Sequence, residues 1–94
     1  MSESPHRWQV LIHREPEKVL NKLPKNVLRR IWARIHELES DPRPTGCKKL
    51  VGYDNLYRLR VEDWRIIYSI EEDQLIILIL EISPRGGAYR SIRD

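Results

Sequence analysis

The chain has 94 residues, of which 40% are hydrophobic and 33% are charged, and these values exclude an intrinsically disordered protein. The length predicts one domain with a single core, and the net charge of +3 favours affinity for nucleic acid. The longest apolar run, residues 75–80, is too short for a membrane span, and residues 1–8 lack a signal-peptide core, so we expect a cytoplasmic protein. A single cysteine, Cys47, excludes an internal disulfide framework.

The N-terminal part of the chain predicts one strand and two helices. Residues 8–12 (WQVLI) are typical of a strand. Pro16 predicts a helix over residues 16–23, because proline suits the first helical turn, and Pro24 ends that helix and opens a second over residues 24–40. The second helix has apolar residues at spacings of three, four and seven, which indicates a face packed on a core: Val27, Leu28, Ile31, Ile35 and Leu38.

The C-terminal part of the chain predicts a sheet. Residues 47–51 can form a short edge strand, and residues 56–61 (LYRLRV) alternate between apolar and cationic side chains, as a half-buried strand does. Residues 64–70 predict the next strand, and residues 74–82, apolar on both faces, predict a central one. The expected fold class is α+β, with an N-terminal strand, a two-helix hairpin packed on a mostly antiparallel four-stranded sheet, and a short C-terminal tail.

The first strand hairpin places two arginines against each other. A two-residue turn after Val61 puts Val61 opposite Trp64, and this register puts Arg60 directly opposite Arg65. Like charges directly opposite each other on a sheet are destabilising, so the two side chains either extend into water or hold an anion. The hairpin alone leaves both interpretations open.

A second two-residue turn would bring a third arginine to the same corner of the sheet. It predicts that Arg65 lies opposite Leu80, so that Arg85 emerges near Arg60 and Arg65, and the glycines that follow let the chain return Tyr89 to this corner. Three arginines from three segments, with a tyrosine within reach, suit a phosphate group.

The order of these segments carries a family resemblance. Residues 8–90 resemble the RelE/ParE superfamily of toxins from toxin–antitoxin pairs. The resemblance lies in the order of two helices, then YRLRV, WRIIY, a strand rich in isoleucine and leucine, and R-x-x-x-YR. The resemblance implies that residues 1–94 form a single RelE-like toxin domain without a cofactor. For the RelE branch it implies a metal-free endoribonuclease that cuts messenger RNA in the ribosomal A site. There the ribose 2′-hydroxyl attacks the 3′-phosphate, and a 5′-hydroxyl leaves.

The resemblance also implies a set of catalytic residues. Arg58 and Arg60 match the two basic strand positions of the family site, Arg65 matches the arginine of the next strand, and Arg85 and Tyr89 match the C-terminal pair. Arg65 and Arg60 suit stabilisation of the phosphorane, because a planar guanidinium can bind two phosphate oxygens. Arg85 is then the candidate for the leaving group, and Tyr89 for base stacking or proton transfer. Arginine hardly ever deprotonates, so the general base stays unassigned.

Other potentially reactive side chains are interpreted as structural. His6, His13 and His36 show no metal-ligand spacing, so no metal site is predicted. Cys47 has no partner histidine and is interpreted as a small structural residue.

The resemblance implies specific partners and leaves two alternatives. The partners are a RelB-like antitoxin, in a toxin–antitoxin hetero-oligomer, and the ribosome with its messenger RNA, without a membrane. One alternative is a ParE-like DNA gyrase poison, which has no need for the five site residues together. The other is a non-catalytic module whose basic corner binds RNA or an acidic peptide.

Overall fold

Residues 7–84 of the chain are described by a computed structural model, and within them five strands form one sheet beside two helices. The elements are β1 (Gln9–Ile12), α1 (Arg14–Leu20), α2 (Lys25–Leu38), β2 (Cys47–Lys49), β3 (Leu56–Val61), β4 (Trp64–Glu71) and β5 (Ile76–Pro84). The strand order is β1-β5-β4-β3-β2, and only the β1–β5 pair is parallel. The expected α+β class is confirmed. The sheet has five strands rather than four, because both short edge strands join it.

The two helices follow the predicted order with shifted ends. Helix α1 begins two residues before Pro16 and ends at Leu20, so that the proline lies in its first turn. Pro24 is the N-cap of α2 and not its first helical residue, and α2 ends at Leu38. Since Pro24 has an extended backbone (φ −60°, ψ 152°), it separates the two helices by a very short connection.

The core lies between one face of the sheet and the helices. The predicted apolar stripe of α2 is confirmed, because its central members Ile31, Ile35 and Leu38 are fully buried. The strands contribute alternate residues to the same core, as their period-two geometry requires. The buried strand residues in this cluster are Tyr57, Leu59, Val61, Ile66, Tyr68, Ile70, Ile77, Ile79 and Ile82.

The register of β4 against β5 differs from the predicted one. The turn between these strands has four residues rather than two, with Leu75 in a left-handed conformation (φ 56°), so Glu71 lies opposite Ile76 and not Gln74. The register then shifts by one more residue between Ile67 and Tyr68, where a β-bulge falls. The prediction that Arg65 lies opposite Leu80 is therefore wrong.

The bulge decides which residues of β5 lie on which face of the sheet. Tyr68 lies opposite Ile79, and an unbroken ladder would continue by placing Glu81 opposite Ile66 in the core. A shift of one residue moves every following side chain to the other face. With the bulge, Ile82 lies opposite Ile66 and is buried in the core, while Glu81 lies on the opposite face. The bulge thus keeps a carboxyl group out of the apolar core.

A buried tyrosine ties the sheet to the loop that follows α2. The hydroxyl of Tyr68 donates to the carbonyl oxygen of Pro42 at 2.8 Å and contacts the sulfur of Cys47 at 3.2 Å. Burial raises the pKa of the Tyr68 phenol, which therefore stays protonated and available as a donor. The contact with Tyr68 agrees with a structural interpretation of Cys47.

Replacing Tyr68 by phenylalanine tests this connection. The Tyr68→Phe variant removes the hydroxyl and leaves the Pro42 carbonyl without its donor, so we expect a loss of about 1–3 kcal/mol in the free energy of unfolding. Urea denaturation followed by circular dichroism measures the loss. Tyr53→Phe, at an exposed turn position, is the matched control and should change stability by less than about 0.5 kcal/mol. Equal stability of the two variants would contradict a structural role for the Tyr68 hydroxyl.

Candidate functional site

The face of the sheet that does not contact the helices carries a grid of charged side chains across four strands. In one row Arg60 lies opposite Arg65, and Arg65 lies opposite Ser83. In the next row Lys48, Arg58, Ile67 and Glu81 lie side by side on β2, β3, β4 and β5. We call this surface the arginine face, defined by Lys48, Arg58, Arg60, Arg65, Glu81 and Ser83.

The members of the arginine face differ in their exposure. Arg65 is only 7% exposed and Arg58 is half-buried, whereas Arg60 is exposed. Ile67, between Arg58 and Glu81, is 1% exposed and forms the apolar floor of the grid. The central arginine is therefore shielded from water, whereas the side chain of Arg60 lies at the surface.

An ion pair anchors the turn beside the two facing arginines. Arg30 of α2 donates from Nη1 to Glu62 Oε1 at 2.8 Å, and the same nitrogen lies 2.7 Å from Oε2. Glu62 has a left-handed backbone (φ 55°), which a two-residue hairpin requires and which glycine usually supplies. Both side chains are exposed, so the pair adds little stability by itself. It joins α2 to the turn that sets Arg60 against Arg65.

Glu81 is a half-buried carboxyl group beside Arg65. Burial raises the pKa of Glu81, while the nearby Ser83 hydroxyl and the charge of Arg65 act in the opposite direction. Its Oε2 is buried and accepts no hydrogen bond, and the Ser83 hydroxyl lies outside regular hydrogen-bond geometry. The carboxyl group is therefore partly desolvated, and its surroundings disfavour the ionised form.

The structure brings three of the five predicted site residues together. The predicted pairing of Arg60 with Arg65 is confirmed, and Arg58 lies on the same face, one row away. Arg85 and Tyr89 lie outside the described residues, so their convergence on this corner stays a prediction. Pro84, the last described residue, lies opposite Trp64, beside Arg65.

Three members of the arginine face were not among the predicted site residues, namely Lys48, Glu81 and Ser83. Lys48 lies directly opposite Arg58, which extends the cationic surface to the sheet edge. Continuing the alternation of β3 across to the predicted edge strand would have found it. Glu81 was missed because its face depends on the bulge, and the run of apolar residues around it gives no alternation from which to infer one.

The remaining candidates do not assemble a site. Between residues 7 and 84, histidine, cysteine, aspartate and glutamate side chains form no group of three that could hold a metal ion. His36 stacks on Trp32, with a ring-centre distance of 5.6 Å, and its Nδ1 lies 3.4 Å from Glu39.

Neither helix in this part of the chain is long and apolar enough to cross a membrane.

Comparison with known proteins gives consistent matches over nearly the whole chain. The family model for the ParE toxin of type II toxin–antitoxin systems, parDE, matches residues 10–89. A protein of Methanocaldococcus jannaschii, named as a candidate toxin RelE1, is 35% identical over 88 residues, which cover 90% of this chain and 98% of that protein.

Solved structures show the same fold. A chain in the crystal structure of the archaeal RelE–RelB complex from Pyrococcus horikoshii OT3 is 38% identical, with a TM-score of 0.78 over 87% of this chain and 99% of that one. The isolated RelE toxin of E. coli gives a TM-score of 0.75 over 86% of this chain and 87% of that one. Its 16% identity makes this second likeness one of fold alone.

The environment of Glu81 predicts a specific pH dependence of stability. Between the ordinary glutamate pKa of 4.5 and the raised pKa of Glu81, the folded protein binds a proton that the unfolded chain does not, so stability falls as pH rises through this interval. Glu81→Gln mimics the protonated form. We therefore expect the variant to unfold at a higher temperature than the parent at about pH 8 and at a similar temperature at about pH 4.

Thermal denaturation at both pH values measures this difference. Glu17→Gln, which replaces an exposed glutamate of α1, is the control and should follow the parent at both. A Glu81→Gln variant that is less stable than the parent at the higher pH would show that the ionised carboxylate stabilises the fold, contrary to this description.

Proposed function

Because the chain belongs to the RelE/ParE superfamily of toxins, we propose that it is a RelE-like toxin domain that cleaves messenger RNA in the ribosomal A site. The observation that carries this proposal is the direct opposition of Arg60 and Arg65 on adjacent strands. Two like charges in this position repel each other, and a bound phosphate would turn that repulsion into attraction to both.

The placement of the arginines suits stabilisation of a transition state. Both belong to paired strands, so little reorganisation is needed when charge develops on a phosphorane. Arg65 is almost fully buried, and charge interactions are stronger where water is excluded. Planar guanidinium groups can each bind two phosphate oxygens, which a phosphorane presents.

The proposed reaction needs no cofactor. The 2′-hydroxyl oxygen attacks the adjacent phosphorus, the bond from phosphorus to the 5′-oxygen breaks, and the product carries a 2′,3′-cyclic phosphate. In this proposal Arg60 and Arg65 stabilise the phosphorane, and Arg58 binds a neighbouring phosphate. Arg85 and Tyr89 occupy positions that the family resemblance assigns. Arg85 acts on the leaving group, and Tyr89 stacks on a nucleobase or takes part in proton transfer.

The proposal includes an antitoxin as partner. The similar chain of Pyrococcus horikoshii is described in a RelE–RelB complex, which supports a RelB-like antitoxin for this protein and a toxin–antitoxin hetero-oligomer. The ribosome with its messenger RNA would be the target in the cytoplasm. A small acidic reading frame beside the gene would be the expected genetic counterpart.

The alternative with specific support is a ParE-like poison of DNA gyrase. Its support is the family model, which carries the ParE name and matches residues 10–89. A gyrase poison gives no reason for Arg58, Arg60 and Arg65 to share one face, so we favour the ribonuclease. DNA damage without cleaved transcripts would reverse this preference. If neither DNA damage nor cleaved transcripts are observed, the result indicates a non-catalytic RNA-binding module.

Substitution of the facing arginines tests the proposed chemistry. Arg60→Ala and Arg65→Lys each remove a planar guanidinium from the phosphorane, so we expect cleavage of ribosome-bound messenger RNA to slow by about 10²–10³-fold. Primer extension on the transcript measures the cuts. Arg29→Ala, at an exposed position of α2, is the matched control and should cut as the parent does. The site assignment is wrong if both variants, shown to be folded by circular dichroism, cleave at the parent rate.

Two adjacent lysines provide a second test of the arginine face. Lys48 lies opposite Arg58 on this face, whereas Lys49 lies opposite Tyr57, whose side chain is in the core, and so belongs to the other face. Lys48→Ala should weaken binding to the ribosome–messenger RNA complex. The slope of the logarithm of the binding constant against the logarithm of the salt concentration should become less steep by about 1, as the loss of one phosphate contact predicts. Lys49→Ala should leave that slope unchanged. Equal slopes for the two variants would place the RNA elsewhere on the protein.

A further inference from the structure

We propose that Glu81 is the general base that accepts the proton of the attacking 2′-hydroxyl group. This inference rests on the proposed ribonuclease function and deepens it, because the arginines of the site cannot perform this step. Cleavage by 2′-hydroxyl attack needs a group that can accept a proton near the reacting phosphate, and a guanidinium hardly ever deprotonates.

The sheet places Glu81 within reach of the phosphate position. Glu81 lies one row from Arg65 on the neighbouring strand, so the two are diagonal neighbours. Diagonal positions in an antiparallel pair are about 7–8 Å apart, a distance that long side chains span. The effect of the Arg65 charge on the pKa of Glu81 is consistent with such proximity. A phosphate bound by Arg65 would thus bring its adjacent ribose hydroxyl close to the Glu81 carboxylate.

Apart from the arginines, the other charged residues that the strands place on this face do not suit the role. Lys48 is an exposed cation at the sheet edge, next to Arg58. Glu71 also lies on this side, but it is six residues from Arg65 along β4, which corresponds to about 20 Å, and Asn55 Nδ2 donates to its Oε2 at 3.1 Å. Strand β1 contributes Gln9 and no ionisable group, and the helices pack on the other face. Among the strand residues of this face within residues 7–84, Glu81 is therefore the carboxyl group nearest to Arg65.

The surroundings of Glu81 fit a base. Burial raises its pKa, and a carboxylate with a raised pKa is a stronger base than an exposed one. Its Oε2 accepts no hydrogen bond, which is a costly state for a carboxylate and one that a donating ribose hydroxyl would relieve. Rotation about the last side-chain bond of glutamate is broad, so either oxygen can be presented to the substrate.

The bulge in β5 supplies an independent argument. Without it Glu81 would lie opposite Ile66 in the core, and with it the carboxyl group joins Arg58, Arg60 and Arg65 on one face. Bulges are over-represented next to active sites, where they redirect a side chain. A strand that needed only to complete the core could carry an apolar residue at this position without a bulge.

The proton-transfer step balances without a further reactant. The 2′-hydroxyl proton moves to the Glu81 carboxylate as the bond from the 2′-oxygen to phosphorus forms. The bond from phosphorus to the 5′-oxygen then breaks, and the departing oxygen takes a proton from water. Protonated Glu81 returns its proton to water, which restores the carboxylate. No atom changes its oxidation state.

The pH dependence of single-turnover cleavage tests this role. With ribosome-bound messenger RNA as substrate, the parent rate should rise with pH through the pKa of Glu81 and then level off. Glu81→Gln should slow cleavage by about 10²-fold or more, and its rate should rise with hydroxide concentration without levelling off. A merely structural role would lower the rate but keep the shape of the profile. Glu71→Gln, on the same side of the sheet, is the control and should match the parent.

A second variant and a binding measurement complete the test. Glu81→Asp keeps a carboxylate that is one methylene shorter, so it should retain the levelling profile at an intermediate rate, whether or not Glu81→Gln folds. Binding of folded Glu81→Gln to the ribosome should equal that of the parent. If the parent cuts and Glu81→Gln cuts within about threefold of it, Glu81 is not the base although the ribonuclease function stands. If the parent cuts nothing on the ribosome, both proposals fail.

Discussion

The pairing of β4 with β5 is the constraint on which both faces of this sheet depend. Its register changes by one residue between Ile67 and Tyr68, and that single step assigns Ile82 to the core and Glu81 to the arginine face. An unbroken ladder would bury a carboxyl group among isoleucines, which costs several kcal/mol unless the group is neutral or paired. The same register brings the end of β5 beside Trp64 and Arg65. Core and candidate site therefore follow from one local feature.

The arginine face brings like charges together on one surface of the sheet. Arg60 faces Arg65 and Lys48 faces Arg58, so like charges meet in two neighbouring rows. The strands are fixed by the core on their other face, so the backbone keeps these side chains close together. In the proposed function, such a surface would bind an anion with several oxygens. A phosphodiester in the act of cleavage has that character, and Glu81 adds the proton acceptor that it would need.

The sequence was informative where side-chain chemistry alternates and uninformative where it does not. The β3–β4 hairpin could be predicted residue by residue, because a two-residue turn sets its register and the alternation in β3 assigns the two faces. The β4–β5 register could not, since isoleucine and leucine occupy both faces of β5 and nothing in them marks a bulge. Glu81 was therefore absent from the predicted site, and Lys48 was overlooked because its strand has only three residues. Arg85 and Tyr89 rest on the family resemblance, which no described contact tests.

The central claim is that this protein cleaves RNA by attack of the ribose 2′-hydroxyl on the adjacent phosphate. The most direct measurement uses ribosome-bound messenger RNA that carries a single 2′-deoxynucleotide on the 5′ side of the cleaved bond, compared with the all-ribose transcript. We predict that the ribose transcript is cut and yields a 2′,3′-cyclic phosphate, identified by mass spectrometry, while the deoxy-substituted bond stays intact. Cleavage of both transcripts at the same bond, or of neither, would contradict the mechanism.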